Sequence, residues 1–199
     1  MVSFEEIQAA YYMVAATGVL AAAIYYVYNM RTSRRTLELT LEAQQQSVET
    51  RQTQLFMDIY KTYSLKEYQQ DREDMALIWK FSDFDDFIKK YGPVTNPAVH
   101  AKWDTQMAQY AGIGVLIKRG MISPDLVFDL IFESTIAFWE KFVPVVEGLR
   151  KSYMPTYGQD AEFLYQEMKR LSEERGLTPP NWREPPGVIY YEQHPELKT

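Results

Sequence analysis

The amino-acid sequence predicts an all-α protein: a single N-terminal transmembrane helix, a helical stalk and a cytoplasmic bundle of about five helices. Three observations carry this prediction. No side chain is charged from Ile7 to Met30. Beyond that segment, apolar residues recur at helical spacing, and nothing alternates with period two over a useful length. Helix-starting residues, twice directly ahead of a proline, and glycine stops divide the rest of the chain into successive helices.

The first element spans residues 7–30. About 24 uncharged residues make roughly 36 Å of helix, enough for the ~30 Å hydrocarbon core of a bilayer. Tyr11 and Tyr12 near one end, and Tyr25, Tyr26 and Tyr28 near the other, suit the two headgroup regions. Ala21-Ala22-Ala23 imitates a signal-peptidase site. A cleaved signal would, however, open with basic residues, and this segment is preceded by Glu5 and Glu6. The expectation is a retained anchor. Arg31, Arg34 and Arg35 come after the span while no Lys or Arg precedes it. The positive-inside rule then puts residues 1–6 outside the cell membrane and the remainder in the cytoplasm. Thr17, Gly18, Ala21 and Ala22 form a small-residue face at the four-residue spacing that lets a second membrane helix approach. Alanine is also simply common in such helices.

Residues 31–49 read as a helical stalk. Leu37, Leu41, Val48, Leu55 and Ile59 recur at coiled-coil-like spacing, interrupted by Gln44 and Gln52. The alternatives are a seam for a partner helix, either another protein or a second copy, and a solvated connector.

The bundle is expected over residues 50–175. Ser64-Leu65-Lys66-Glu67 has the form of a capping box, predicting a helix from Leu65 to about Trp79 that buries Leu65, Tyr68, Met75 and Trp79. Ser82 is placed to cap a short helix through Phe84, Phe87 and Ile88 that ends near Gly92-Pro93. Asn96-Pro97 starts a helix with Val99, Trp103, Met107, Tyr110, Ile113 and Ile117 on one face, stopped by Gly120. Ser123-Pro124 repeats that device for a long, mostly apolar helix that Pro144 should kink or break. A last amphipathic helix runs from about Asp160 to Arg175, before Gly176. Trp103, Tyr110, Phe132 and Trp139 are the expected heart of the core. Residues 176–199 hold five prolines and form a Pro-rich tail. They suit either a ligand for another domain or a strap held on the chain's own surface by Trp182, Tyr190 and Tyr191.

Composition narrows function by what it lacks. The net charge is -6 with no basic block, which argues against nucleic acid as a partner. There is no cysteine, which removes disulfides, thiolate nucleophiles and cysteine-ligated metals. No cofactor is called for. The long apolar helix does carry Asp125, Asp129, Glu133, Glu140 and Glu147 within an arc of roughly 80°. Glu133 and Glu140 with His100 are the metal-ligand candidates, for a metal-dependent enzyme or sensor. The alternative is a stripe that faces water or pairs with Lys118, Arg119 or Arg150. Di-iron bundles need Glu-x-x-His pairs, and none is present. Gly112-Ile113-Gly114 lies mid-helix and fits close helix packing better than a phosphate loop.

The run Tyr110–Arg150 resembles the prokaryotic membrane-anchored family catalogued as domain of unknown function 4760. The resemblance rests on a G-x-L-x-x-x-G-x-I turn and, after it, a helix with an internal Trp and a closing Arg: Gly114, Leu116, Gly120, Ile122, Trp139 and Arg150. Over residues 8–172 it implies a membrane helix joined to a helical cytoplasmic domain. It brings no catalytic residues with it. The functional expectation is therefore a membrane-anchored interaction or scaffold module, an accessory subunit of a larger assembly. A tethered sensor with an apolar ligand among Trp103, Tyr110, Phe132 and Trp139 is a further reading.

Overall fold

A computed structural model describes residues 3–178 together with His194 and Glu196. The expected tail contacts of Trp182, Tyr190 and Tyr191 lie outside the described residues. Among those described there are six α-helices and no strand, as the periodicity requires. The chain divides into two units, residues 1–51 and 52–199.

The first unit is part of one uninterrupted helix, α1 (Phe4–Tyr63). It opens with a reciprocal capping box. The Glu6 amide donates to Ser3 Oγ at 3.2 Å, and the Ser3 amide donates to Glu6 Oε2 at 2.9 Å. Every described residue from Ser3 to Arg51 is exposed. The Thr17 hydroxyl donates to the Met13 carbonyl at 2.7 Å, so its polar atom is satisfied within the helix. α1 is long and apolar enough to cross a membrane.

The second unit packs around α4 (Pro97–Lys118), α5 (Pro124–Ser152) and α6 (Gln159–Glu174), with α6 laid against both of the others. The end of α1 joins through buried Ile59 and half-buried Leu55, Phe56 and Tyr63. α2 (Lys66–Glu73) continues into a π-helical turn, Asp74–Ile78, that meets α5. α3 (Phe84–Tyr91) touches both α4 and α5. The core is aromatic: Phe87, Trp103, Tyr110, Phe128 and Phe142 are almost wholly buried. Trp79 stacks on Tyr91 with ring centroids 4.4 Å apart.

Several starts and stops depart from expectation. The Ser64 capping box does not form, because Ser64 still belongs to the last turn of α1, its amide bonded to the Tyr60 carbonyl at 2.9 Å. The extended residue before α2 is Leu65, whose side chain caps nothing and is exposed. The expected α-helix to Trp79 stops at Glu73, and the π turn carries Met75 and Trp79 into the core. Asp83, not Ser82, caps α3, accepting from the Asp86 amide at 2.9 Å. That bond, reinforced by the Ser82 hydroxyl, holds the Asp83 carboxyl below its ordinary range. Asn96 precedes Pro97 as expected but makes no side-chain cap. Ser123 does cap α5, accepting from the Asp125 amide at 3.3 Å. α5 runs through Pro144 without a break; the ring lies on an exposed side of the helix.

Candidate functional site

α5 carries the acidic candidates, and its carboxylates meet different surroundings. Asp125 and Asp129 are exposed on its first turns and both pair with Arg175, at 2.7 and 2.6 Å. Arg175 also lies over the Phe128 ring, 4.2 Å from its centroid, so the guanidinium stacks and bridges at once. Glu133 and Glu147 face solvent and Glu140 is half-exposed. The stripe's cation is thus Arg175. Lys118 instead pairs with Asp160 at 3.1 Å, and Arg150 with Glu162 at 2.7 Å.

His100 sits at the start of α4. Its Nδ1 is 2.8 Å from the Tyr91 carbonyl, which can only accept, so that nitrogen carries the proton. Nε2 is 3.5 Å from Asp104 Oδ1. The histidine therefore ties the end of α3 to the start of α4. Among the described residues no three His, Asp or Glu side chains converge as a metal site.

The aromatic candidates do not share one pocket. Trp103 packs on Phe87 and Tyr157, Tyr110 on Phe138, and Trp139 on Tyr165. Phe132 is only half-buried and stacks on Phe128 at 4.4 Å.

Two features escaped sequence reasoning. Lys141 is buried, and its Nζ donates to the carbonyls of Met75 at 2.7 Å and Ala76 at 2.8 Å. Those carbonyls belong to the π turn, whose last oxygens lack intrahelical partners. A cation aimed at a helix C-terminus also meets the negative end of its dipole. Desolvation pulls the ammonium down to about 8, helped by the charge of Lys80. The signal was present in the sequence: Ser134, Phe138, Lys141 and Val145 keep helical spacing on the buried face.

The second feature is an apolar groove of 310 Å³ between the end of α1 and the start of α5, lined by Phe56, Met57, Tyr60, Leu126, Asp129 and Leu130. Phe56 and Tyr60 stack along one wall with centroids 6.4 Å apart. Each wall residue comes from a face that periodicity alone assigns to solvent or core, but not to a recess between two helices.

The G-x-L-x-x-x-G-x-I segment and its distal Trp and Arg acquire physical reasons here. At Gly114 a Cβ would overlap the Asp160 carbonyl, so this glycine permits the closest approach of α4 to α6. Gly120 adopts φ 65° just past α4, with its amide bonded to the Ile117 carbonyl at 2.8 Å and that of Met121 to the Leu116 carbonyl at 2.9 Å. Ile122 is buried. Arg150 Nε donates to the Tyr157 carbonyl at 2.8 Å, and its guanidinium lies 6.0 Å from the Trp139 ring centroid. The model of the family described as Domain of unknown function (DUF4760) matches residues 12–168 of this chain. The chain belongs to that family. Its match begins inside α1 and ends inside α6, so it takes in the whole α2–α5 set and leaves out the Pro-rich tail. No curated protein and no solved structure matches the chain.

Proposed function

We propose that this member of the family is a single-pass membrane protein that works as an interaction or scaffold module, an accessory subunit of a larger membrane assembly. The observation that carries the reading is the exposure of every described residue from Ser3 to Arg51. A helix exposed along its described length gains little from propensity alone and is stabilised by what surrounds it. For the uncharged part that surrounding is lipid, in which a helix satisfies its own backbone. Thr17, Gly18, Ala21 and Ala22 leave room for another helix, and a Cβ at Gly18 would meet nothing. Leu37, Leu41 and Val48 extend an apolar face along the stalk. Both surfaces suit a second copy or a foreign membrane helix. The trailing Arg31, Arg34 and Arg35 orient residues 1–6 outward and the α2–α6 domain toward the cytoplasm.

The test is mild detergent extraction at native expression, with sizing and protein identification. A particle larger than one chain plus its micelle, which shrinks when Gly18→Ile and Ala22→Ile are introduced, is the expected result. Full extraction by alkaline carbonate without detergent, or a strictly monomeric particle, would overturn the reading.

A further inference from the structure

The last turns of α1 are fastened at their end and loosely packed on both flanks. Tyr63 is the fastening. Its hydroxyl accepts from Arg72 Nη1 at 3.0 Å, its carbonyl accepts from Gln69 Nε2, and its ring packs on Tyr68 with centroids 6.1 Å apart. One turn earlier comes Ile59, the buried residue of α1, and a recess lies on each side of it. Toward α5 is the 310 Å³ groove, with Phe56, Met57 and Tyr60 on its α1 wall. Toward α4 is a second recess of 370 Å³, between Leu55, Asp58 and Thr62 on one side and Ala108, Gly112 and Leu116 on the other. Ala108 and Gly112 are exposed, and a Cβ at Gly112 would meet nothing. Packed helices are normally fixed by side chains that fill the space between them, and here the filling is incomplete on both flanks at once.

We propose that the end of α1 is a lever with two seats. Pivoting at Tyr63, residues 55–60 close either onto Ala108 and Gly112 of α4 or onto Leu126 and Leu130 of α5, and closing one recess opens the other. A small motion suffices. Leu55 lies about 12 Å from the pivot along the helix, so a tilt of about 10° moves it by about 2 Å. The two seats differ in chemistry. Rings, a thioether and leucines wall the α5 side, whereas Asp58, Thr62 and Gln109 give the α4 side polar edges. Apolar burial favours the first seat, and the small residues of α4 allow a closer backbone approach in the second. Packed interfaces move between discrete arrangements, so the lever has two positions rather than a continuum. On the membrane reading, on which this use of the lever rests, α1 is also the span, and whatever tilts the helix in the bilayer selects the seat.

The absence of cysteine makes the test clean. In the full chain, Asp58→Cys with Gly112→Cys spans the α4 recess, and Met57→Cys with Leu126→Cys spans the α5 recess. Each pair is oxidised with copper phenanthroline and followed by the loss of free thiols. We expect both pairs to form disulfides within one chain. Ala108→Leu, which fills the α4 recess, should slow the first pair and speed the second at least threefold. Leu130→Phe, which fills the α5 recess, should do the reverse, with the circular dichroism of the domain unchanged in both. Gln109→Leu repeats the first arm if Ala108→Leu disturbs the fold. A pair that never forms, a filling substitution that leaves the opposite pair's rate unchanged, or bonds that appear only at dimer mobility each overturn the lever. If alkaline carbonate releases the chain, the membrane reading falls while the coupling of the two pairs is still measured. Uncoupled pairs in a chain that stays with the membrane overturn the lever alone.

Discussion

Gly112 and Gly114 lie two residues apart on α4, and the same substitution at each should move stability in opposite directions. At Gly114 an added methyl meets the Asp160 carbonyl, with Leu164 Cβ at 3.5 Å behind it. Neither neighbour can rotate aside, since one is backbone at the start of α6 and the other is the root of a wholly buried side chain. α6 must therefore shift, carrying Ala161, Leu164 and Met168 out of register with α4. Overpacking of this kind costs about 1–3 kcal/mol, and a rigid backbone obstacle places it at the upper end. Alanine returns about 1 kcal/mol of helix propensity, leaving a net loss of about 2 kcal/mol for Gly114→Ala. At Gly112 the same methyl meets nothing within 4 Å, so Gly112→Ala keeps only the propensity term and gains up to about 1 kcal/mol. For a domain of this size, a loss of about 2 kcal/mol lowers Tm by roughly 8 °C. Urea unfolding of the detergent-solubilised chain, read from the near-ultraviolet signal of the buried tryptophans, gives the midpoints directly; an unchanged slope confirms that stability alone has moved. If Gly114→Ala proves as stable as Gly112→Ala, the close approach of α4 and α6 is wrong.

Other expectations rest on single side chains. The folded-state pKa of Lys141 is depressed to about 8 from 10.5, so between those values the unfolded chain binds more protons. Stability of the wild type relative to Lys141→Met should accordingly rise as pH increases through that window, and a flat or falling difference in urea midpoint would contradict the burial of this ammonium. Arg150→Ala removes bonds to the Tyr157 carbonyl and Glu162 together with the contact over Trp139. We expect a loss of about 2 kcal/mol in urea unfolding, discounted for the half-exposed carboxylate, with Arg150→Lys restoring only part because an ammonium lacks the guanidinium fork.

The parts of the fold legible in the sequence are those fixed by local chemistry. Asn96-Pro97, Ser123-Pro124 and the glycines after α4 and α6 mark helix ends because backbone sterics act within one turn. The buried face of α4 emerges from spacing alone. What sequence reasoning mistook depended on neighbours one residue away or sixty. Ser64 looked like a cap, but its amide still closes the last turn of α1, so the residue before α2 is Leu65, and a capping box has no tolerance for such an offset. Pro144 suggested a kink or a break; the helix continues through it, with the ring exposed and one backbone bond missing. The acidic stripe was readable as a stripe. Its partner was not, because Arg175 is 46 residues from Asp129 along the chain. The groove was invisible for the same reason: it is made where two distant helices fail to close against each other.

The Lys141 clamp also has a history in time. It joins carbonyls to an ammonium 65 and 66 residues further along the chain. At typical synthesis rates of roughly 5–20 residues per second, the Met75 carbonyl leaves the ribosome about 3–13 s before its lysine does. During that interval the Met75 and Ala76 carbonyls lack their ammonium, and Trp79 has no Phe142 to pack against. The first half of the domain must therefore wait for α5, and a ribosome paused within α5 would hold a nascent chain whose most aromatic surface is still open to chaperones.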